Sequence, residues 1–465
     1  MSNRIFLECT NTFNTNINTG IQRVVRNICH NARHVGAELG LECVPVVHLA
    51  GQFYPVTFRH ANRRMEDISA HIWDAYRTVT RNVLRTLRLQ WLEKQLVPEL
   101  GHAGIFKIAH LASHAFKNTL RYLFTRPVRM QSGDMVLLLD GCAKDNPFEL
   151  LEAARARGAM VGALSYDLIP LQHPHMFHPS LVAQFTRFMD WGARNVDFFL
   201  AISKTVRDDV CGFVNSYSPT RQMAEEAFAS FNLAAEFDYP TGTNRIRAEM
   251  QSFFQAGTQP PFLVVGTIEP RKNHLFVIDA LDKVWQQRPH ARVCIIGRTG
   301  WLCQEIIQKI KNHPRFTSHI LLVTDASDHE LEFCYQNSLA LIFPSKAEGY
   351  GLPIVEALKH GLPVLASGIP IHREVGGEWC IYFQLGSPDE LAAKMGQVLD
   401  GLASQLASPP ETYPSRTWED SCRDLLTACL RQRARQMPPP ATEGNKHVPA
   451  PHLRRQTENV PVRSI

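Results

Sequence analysis

Short apolar runs rich in β-branched residues alternate with amphipathic helical segments in two separate blocks of the chain. Strands that read as continuous apolar runs are typical of parallel sheets with helices on both faces. With 465 residues, of which 45% are hydrophobic, the chain can bury a core in each block. The sequence therefore predicts two α/β domains. The strand candidates lie at 135–139, 160–164 and 198–202 in the first block, and at 262–265, 293–296, 320–323, 339–343 and 364–366 in the second.

Composition places the boundaries of these domains. We predict an N-terminal domain at 1–210, an interdomain linker region at 211–260, a C-terminal domain at 261–415 and a C-terminal helix at 416–436. The remaining residues, 437–465, are rich in proline and polar residues and contain few large apolar ones. Such a segment cannot form a packed core, so we expect a disordered tail.

The net charge of +5 is unevenly distributed. Residues 59–129 contain 13 basic and 5 acidic residues with helical apolar spacing, and we predict a basic helical insert in the N-terminal domain. Two interpretations stay open: the insert packs on its domain with its arginines in water, or it forms a surface for anionic lipid and a lipid-diphosphate acceptor. We expect no nucleic acid partner, because no nucleic-acid motif accompanies the charge.

The cysteine pattern favours a reducing compartment. The eleven cysteines are scattered, with no C-x-x-C pair and no spacing typical of zinc. The apolar run 5–7 is too short for a signal peptide, and no run reaches the roughly 20 apolar residues that span a bilayer. We therefore expect a cytoplasmic protein that touches a membrane only peripherally, through 59–129.

The first candidate motif is Gly266-Thr267-Ile268-Glu269-Pro270-Arg271-Lys272-Asn273-His274, which follows the run 262–265. Helical spacing begins after it, and we expect Asn273 to be the N-cap. Arg271 and Lys272 then lie at a helix N-terminus, where free N–H groups and the helix dipole favour an anion such as phosphate. The alternative is a solvated basic pair on a βα loop.

The second candidate motif is Pro344-Ser345-Lys346-Ala347-Glu348-Gly349-Tyr350-Gly351-Leu352-Pro353-Ile354-Val355-Glu356-Ala357. A helix is expected to begin at Pro353 and to stop at Gly361, which puts Glu348 on the preceding loop and Glu356 in the helix. The two glycines let backbone approach a ligand closely. Two carboxylates around such a loop can bind the hydroxyls of a sugar and of a nucleotide ribose, unless both are simply surface residues.

Together these segments resemble glycosyltransferase family 4, the retaining nucleotide-sugar enzymes of the GT-B fold, whose E-x7-E spacing is kept by Glu348 and Glu356. The resemblance implies two Rossmann-like domains facing each other across a cleft. It also implies that Glu348 binds the sugar, Glu356 the ribose and Arg271 with Lys272 the pyrophosphate, while Thr267 replaces an arginine of many relatives. The implied donor-binding set is Gly20, Gly266, Thr267, Arg271, Lys272, Thr324, Glu348, Gly349, Tyr350, Gly351, Leu352 and Glu356, and the implied catalytic set is Glu348, Asp167 and Lys272.

The N-terminal block carries the resemblance further. Residues 18–26 resemble the glycine loop and first helix of the family, with Gly20 at the point of close approach and with Arg23 and Arg26 either near phosphate or in solvent. Residues 166–174 resemble the H-D-L-I-P-L-x-H-P segment of bacterial mannosyltransferases, with Tyr166 in place of histidine. Asp167 is then a polar group near the sugar and the acceptor hydroxyl, or else a turn residue that caps its own loop. Ser203-Lys204 is expected to close the cleft.

The resemblance implies a retaining glycosyltransferase that moves a hexose, mannose from GDP-mannose, to a lipid-linked or polysaccharide acceptor of a cell-surface glycan. We expect no cofactor and, because the chain has no Asp-x-Asp motif, no metal. Two alternatives stay open. One is a nucleotide-sugar epimerase or phosphorylase on the same fold, and the other is a catalytically degenerate transferase that acts as an assembly partner.

Overall fold

The N-terminal domain is built on one seven-stranded sheet. A computed structural model of the chain describes residues 3–15, 19–58, 126–140, 146–217, 221–234, 236, 245–257 and 259–436. The strand order is β3-β2-β1-β4-β5-β6-β7, and every neighbouring pair is parallel except β2 with β3. The strands are β1 (Arg4–Glu8), β2 (Glu42–Leu49), β3 (Gln52–Pro55), β4 (Met135–Leu138), β5 (Met160–Ser165), β6 (Phe198–Ala201) and β7 (Phe228–Ser230).

Helices cover both faces of this sheet, which is why its central strands are apolar along their whole length. The longest of them begins with a capping box in which Thr19 and Gln22 satisfy free N–H groups of the first turn. Its buried side chains recur at helical spacing and pack on the sheet. The helices are α1 (Thr10–Asn14), α2 (Gly20–Glu38), α3 (Phe148–Ala156), α4 (Ile169–Gln172), α5 (Pro179–Asn195) and α6 (Lys204–Tyr217).

The C-terminal domain contains a six-stranded, wholly parallel sheet. Its order is β10-β9-β8-β11-β12-β13, so the order reverses between β8 and β11. In open α/β sheets a ligand crevice forms at such a reversal, outside the carboxyl ends of the strands. The strands are β8 (Phe262–Val265), β9 (Val293–Ile296), β10 (Ile320–Val323), β11 (Leu341–Phe343), β12 (Val364–Ser367) and β13 (Cys380–Phe383).

Eight helices among the described residues surround or follow the strands of this second sheet. The prediction of two α/β domains with parallel sheets is confirmed. Within the part of the chain that the structure describes, no helix combines the length and the apolarity needed to cross a bilayer. The helices are α7 (Ala248–Gln255), α8 (His274–Gln287), α9 (Gln304–Lys311), α10 (Asp328–Asn337), α11 (Leu352–Lys359), α12 (Pro370–Gly376), α13 (Pro388–Leu399) and α14 (Ala403–Leu406).

The last described helix, α15 (Trp418–Gln436), returns to the N-terminal domain and packs against α2. Arg423 Nη2 pairs with Glu38 Oε2 at 2.6 Å, and Arg433 Nη2 donates to the carbonyl of Arg4 at 3.0 Å. Cys422, fully buried, lies against the Ile28 carbonyl. The chain therefore ends its described part on the domain in which it begins.

The segment 211–260 contains more secondary structure than a linker needs. Its first residues complete α6, it contains α7, and β7 pairs with β6 to complete the first sheet. The predicted boundary at 210 thus falls inside α6. The first sheet was expected to end before this boundary because its last strand, β7, is only three residues long and carries little apolar signal. The predicted insert at 59–129, apart from 126–129, and the predicted tail at 437–465 lie outside the described residues.

Candidate active site

The two domains meet where the carboxyl ends of their strands face one another. Ser203 Oγ donates to the carbonyl of Gly349 at 2.9 Å, which is the contact expected of the Ser203-Lys204 segment. The carboxylate of Glu374 accepts from the N–H groups of Lys204 at 2.6 Å and Thr205 at 2.8 Å. A carboxylate of one domain thus caps the first turn of a helix of the other.

A cluster of charged side chains from the C-terminal domain lies in this cleft. Glu348 Oε2 accepts from Arg271 Nη1 at 2.7 Å, and Lys272 Nζ pairs with Glu348 Oε1. The side chain of Glu348 is 8% exposed, that of Arg271 17% and that of Lys272 11%. Glu269, which is fully buried, pairs with Arg271 Nε at 2.6 Å. The two motifs predicted from sequence are therefore in direct contact, and neither is a solvated surface loop.

The backbone between β8 and α8 turns both cations toward Glu348. Pro270–Lys272 form a single 3-10 turn, and Asn273 follows with φ 58°, in the left-handed region. Asn273 is the N-cap of α8, as predicted, although its side chain makes no capping hydrogen bond. The 348 loop is fixed from the other side, because Lys346 N donates to the Arg271 carbonyl at 2.8 Å and Arg271 Nη1 donates to the Ala347 carbonyl at 3.0 Å.

The cluster keeps Glu348 ionised. Burial by itself would raise the pKa of this carboxyl, but Arg271 and Lys272 outweigh burial and hold the pKa well below its usual range. Burial would also lower the pKa of Arg271, yet Glu348 and Glu269 raise that pKa above its ordinary value. For Lys272 burial prevails and the pKa is lowered. Arg271 is therefore the more firmly charged of the two cations.

Glu356 lies on α11 and is almost completely buried. Arg23 of the N-terminal domain reaches across the cleft, and its Nη2 pairs with Glu356 Oε1. Tyr335 OH donates to the other oxygen, Oε2, at 2.7 Å. The solvated interpretation of Arg23 is thus wrong. Arg26, one turn further along α2, donates instead to the carbonyl of Thr15 at 2.7 Å.

Asp167 is a turn residue that also lies beside the charged cluster. Its Oδ1 accepts from the N–H of Ile169 at 3.0 Å, as a turn residue would. The residue also faces the charged cluster: burial raises its pKa, and the nearby charges of Arg271 and Lys272 oppose that rise. Tyr166, which stands where relatives have histidine, is buried and donates through its hydroxyl to the Leu139 carbonyl at 2.8 Å.

The glycines of the second motif lie where the domains approach most closely. A Cβ at Gly349 would lie 1.8 Å from the carbonyl oxygen of Tyr166, so no side chain fits there. Gly351 has φ 104° and precedes α11, a conformation that other residues rarely adopt. A Cβ at Gly20 would lie 3.5 Å from Leu352 Cδ1, so the first turns of α2 and α11 face each other.

The remaining predicted residues are placed less centrally. Tyr350 is buried and its hydroxyl donates to the Leu233 carbonyl at 3.1 Å, so it supports the segment between the domains. A Cβ at Gly266 would lie 3.3 Å from Lys272 Cδ. Thr267 packs against Gly300, and Thr324 follows β10 in a half-buried position.

A second group of polar residues was missed by the sequence interpretation. Glu8 is the last residue of β1, Asp140 lies two residues after the neighbouring strand β4, and both are buried. His48 Nδ1 lies 3.1 Å from Glu8 Oε1, and Thr12 N donates to Asp140 Oδ2 at 3.1 Å. Burial, followed by the charge of Glu8, raises the pKa of Asp140 to about 7. The signal was available, because carboxyl ends of adjacent parallel strands meet at one edge of a sheet.

Comparison with known proteins agrees with this geometry. The family model described as "Glycosyl transferases group 1" matches residues 246–406, which contain the Glu348 cluster and Glu356. This match covers 161 of the 465 residues, and over it the chain is similar to the glycosyl transferases of group 1. The glycosyltransferase resemblance seen in the sequence is confirmed, and the two Rossmann-like domains have the GT-B arrangement that it implied.

Similarity to known proteins extends beyond residues 246–406. The chain is similar to the serotype-specific mannosyltransferase WbdA of Escherichia coli, with 27% identity over 383 residues, 79% of this chain and 46% of that protein. It is also similar to the O-antigen chain mannosyltransferase RfbU of Salmonella typhimurium, with 25% identity over 226 residues, 48% of this chain and 56% of that protein. The chain thus spans about half the length of the curated relatives it matches.

Among solved structures, the N-terminal domain of trehalose-6-phosphate phosphatase from Candida albicans has a similar fold. The TM-score is 0.55 at 12% sequence identity, and the match covers 93% of this chain and 97% of that one. At this identity the likeness concerns the fold alone.

Proposed function

We propose that the chain is a retaining glycosyltransferase that moves mannose from GDP-mannose to a glycan or lipid-linked acceptor in cell-surface glycan synthesis. The observation that carries the proposal is the pair of buried carboxylates, Glu348 and Glu356, with Arg271 and Lys272 placed beside the first of them. The match to the group 1 family and the mannosyltransferase relatives support it.

The residues suggest how the donor would be held. Glu348 stays ionised and can accept hydrogen bonds from hydroxyls of the sugar, and Glu356 can accept hydrogen bonds from hydroxyls of the ribose. Arg271 and Lys272 can neutralise the diphosphate while the bond between the sugar C1 and its phosphate oxygen breaks. Such preplaced charge is commonly the largest catalytic contribution at a site that excludes water.

The second half of the reaction concerns the acceptor. Its hydroxyl oxygen forms the new bond to C1 on the face from which the diphosphate leaves, and the hydroxyl proton passes to a diphosphate oxygen. Asp167 lies on the N-terminal side of the cleft next to the charged cluster, and in this proposal it orients that hydroxyl. The protein then contributes positioning and charge stabilisation, and no side chain is assigned as general base.

Donor identity is tested by thermal shift with GDP-, UDP-, ADP- and dTDP-sugars. A ligand at 100 times its dissociation constant stabilises the folded state by about 2.7 kcal/mol. We expect GDP-mannose to give the largest shift for the wild-type protein. A larger shift with another base would refute the GDP assignment while leaving a nucleotide-sugar enzyme.

Reaction class is tested by product analysis with and without an acceptor. Transfer only in the presence of a mannose-containing glycan acceptor supports the proposal. Isomerisation of the donor alone would identify an epimerase, phosphate-dependent cleavage a phosphorylase, and donor binding without turnover a degenerate transferase.

Lys272→Ala should abolish most of the transfer, whereas Lys346→Ala, on the same loop as Glu348 but exposed, is the matched control.

We also propose a cytoplasmic location with peripheral membrane contact through 59–129. The charge excess of that segment supports this part of the proposal. Replacing the arginines at 77, 81, 85 and 88 by glutamine should reduce sedimentation with vesicles that contain anionic lipid. Unchanged sedimentation would assign the segment a purely structural role.

A further inference from the structure

Arg23 reaches from the N-terminal domain to the carboxylate that the proposed function assigns to the donor ribose. It lies in the first turn of α2, which faces the first turn of α11 through Gly20 and Leu352. Its Nη2 pairs with Glu356 Oε1, and the side chains of the two residues are 14% and 3% exposed. The contact is therefore an almost fully desolvated ion pair between the domains, at a point where the reaction steps described above use only Glu356.

Both oxygens of Glu356 already have donors from the protein. Tyr335 OH donates to Oε2 at 2.7 Å, from α10 of the same domain, and Arg23 occupies Oε1 from across the cleft. A ribose offers neutral hydroxyl donors to the same carboxylate. Because the Glu356 side chain is only 3% exposed and Arg23 covers Oε1 from across the cleft, ribose hydroxyls can reach that oxygen only if the guanidinium moves. Tyr335 binds Oε2 from the same domain as Glu356, so its hydrogen bond can persist.

A guanidinium displaced from Glu356 needs another anion. Leaving a buried charge without a partner is costly. Burial would lower the pKa of Arg23, but Glu356 outweighs burial and raises that pKa above its ordinary value. In the proposed function the donor brings its own anion, the diphosphate, to the cleft into which Arg23 reaches from α2. Guanidinium groups bind phosphate oxygens well because their planar fork offers two parallel donors.

We propose that Arg23 exchanges partners when the donor binds, leaving Glu356 to the ribose hydroxyls and pairing with the diphosphate. The inference rests on the proposed function, because it takes Glu356 as the ribose site. Arg23 then acts as a positioning residue that makes the N-terminal domain respond to the diphosphate. A ligand without phosphates also has to displace Arg23 from Glu356, but it provides no anion with which the guanidinium can pair.

This exchange predicts opposite effects on two ligands. In Arg23→Gln, guanosine should bind more tightly than in the wild type, because its ribose no longer displaces a charged partner. GDP should bind about tenfold more weakly, because one charged contact to the diphosphate is lost. Calorimetric titration of the full chain with GDP, and competition by guanosine, measures both constants. Uridine with UDP replaces this pair if the thermal-shift comparison selects uracil.

Two further variants serve as controls for this experiment. Arg23→Lys keeps the charge and should retain most of the GDP affinity, which separates loss of charge from a failure to fold. Arg26→Gln, one turn along the same helix, should leave both constants within about twofold, since Arg26 bonds to the Thr15 carbonyl and not to Glu356. Circular dichroism and a melting curve verify the fold of every variant.

Equal losses of affinity for guanosine and for GDP in Arg23→Gln would overturn the proposed exchange of partners. If Arg23→Gln weakens guanosine and GDP by the same factor, or changes neither, Arg23 serves only to support Glu356 or the domain contact. If the wild-type protein binds none of GDP, UDP, ADP and dTDP, the proposed function fails and the inference fails with it. Opposite shifts for nucleoside and diphosphate would support both.

Discussion

The two glutamates of the E-x7-E motif are eight positions apart and both buried, yet their surroundings differ in kind. Glu348 takes its partners, Arg271 and Lys272, from its own domain, so the carboxylate and its charges are arranged whether or not the domains are closed. Glu356 takes one partner from its own domain, Tyr335, and one from the other, Arg23. Its surroundings are complete only when the domains meet. One end of the motif is therefore preorganised, and the other end depends on closure.

The preorganised end should be the most sensitive to substitution. In Glu348→Ala, Arg271 and Lys272 lose their shared counter-charge and the sugar loses its acceptor, so we expect turnover to fall by about 10²–10³-fold. The free energy of unfolding should fall by about 3 kcal/mol, because the largely buried Lys272 loses its paired carboxylate and Arg271 keeps only Glu269. Initial rates of mannose transfer and urea unfolding measure the two effects. A rate within a factor of three of wild type would refute the role of Glu348.

Closure itself is tested at Gly349. A methyl group there would lie 1.8 Å from the carbonyl oxygen of Tyr166, so Gly349→Ala forces the domains apart. Overpacking of this kind costs about 1–3 kcal/mol, and the closed arrangement should become roughly ten- to a hundredfold less populated. Transfer should fall accordingly, while the melting temperature of the C-terminal domain stays the same. Gly386→Ala, where a Cβ meets nothing within 4 Å, is the control.

A smaller effect is expected from the cross-domain cap. Glu374→Gln keeps one oxygen for the N–H groups of Lys204 and Thr205 but replaces the other by a donor. Loss of a helix cap costs about 1 kcal/mol, so the closed arrangement should become about fivefold less populated. Small-angle scattering with and without GDP measures the opening. Glu378→Gln, on an exposed residue nearby, should scatter like the wild type, and an identical result for both variants would exclude the cap as a closing contact.

A separate prediction concerns pH and contrasts a carboxylate of the N-terminal domain with Glu348. Burial and the charge of Glu8 raise the pKa of Asp140 to about 7, above its value in the unfolded chain. The folded protein then binds the extra proton between about pH 4 and pH 7, so this group contributes stability that is lost as the pH rises through that window. Asp140→Asn should flatten that decline in urea unfolding. A decline that is as steep in the variant would assign it to other groups.

Much of this fold was predictable because parallel strands and their helices have strong local signatures. The strand at 262–265, the loop with Glu348 and the helix with Glu356 lie where the sequence indicated. The boundary near 210 was not predictable, because the pairing of β7 with β6 depends on contacts distant along the chain. The same holds for Arg23: its periodicity marks a helix residue, but only the meeting of two domains decides that it pairs with Glu356 rather than with water.

The buried acidic residues Glu8 and Asp140 of the N-terminal domain were missed for a different reason. Glu8 ends β1 and Asp140 follows β4, but the two residues are separated by more than a hundred positions and match no motif. Only the topology, in which β4 pairs with β1, brings them to one edge. The departure at Thr267 was visible in the sequence, and the structure adds that its side chain packs against Gly300.

The return of α15 to the N-terminal domain has a mechanical consequence. The polypeptide passes between the domains twice, once before α7 and once before α15, and the two passages touch: Trp418 N and Nε1 donate to the carboxylate and the carbonyl of Glu236 at 3.0 and 3.1 Å. Because these hydrogen bonds join the two crossings at one place, we expect the domains to open by rotation about it rather than by sliding. Closing by the same rotation would bring α2 back to the same turn of α11.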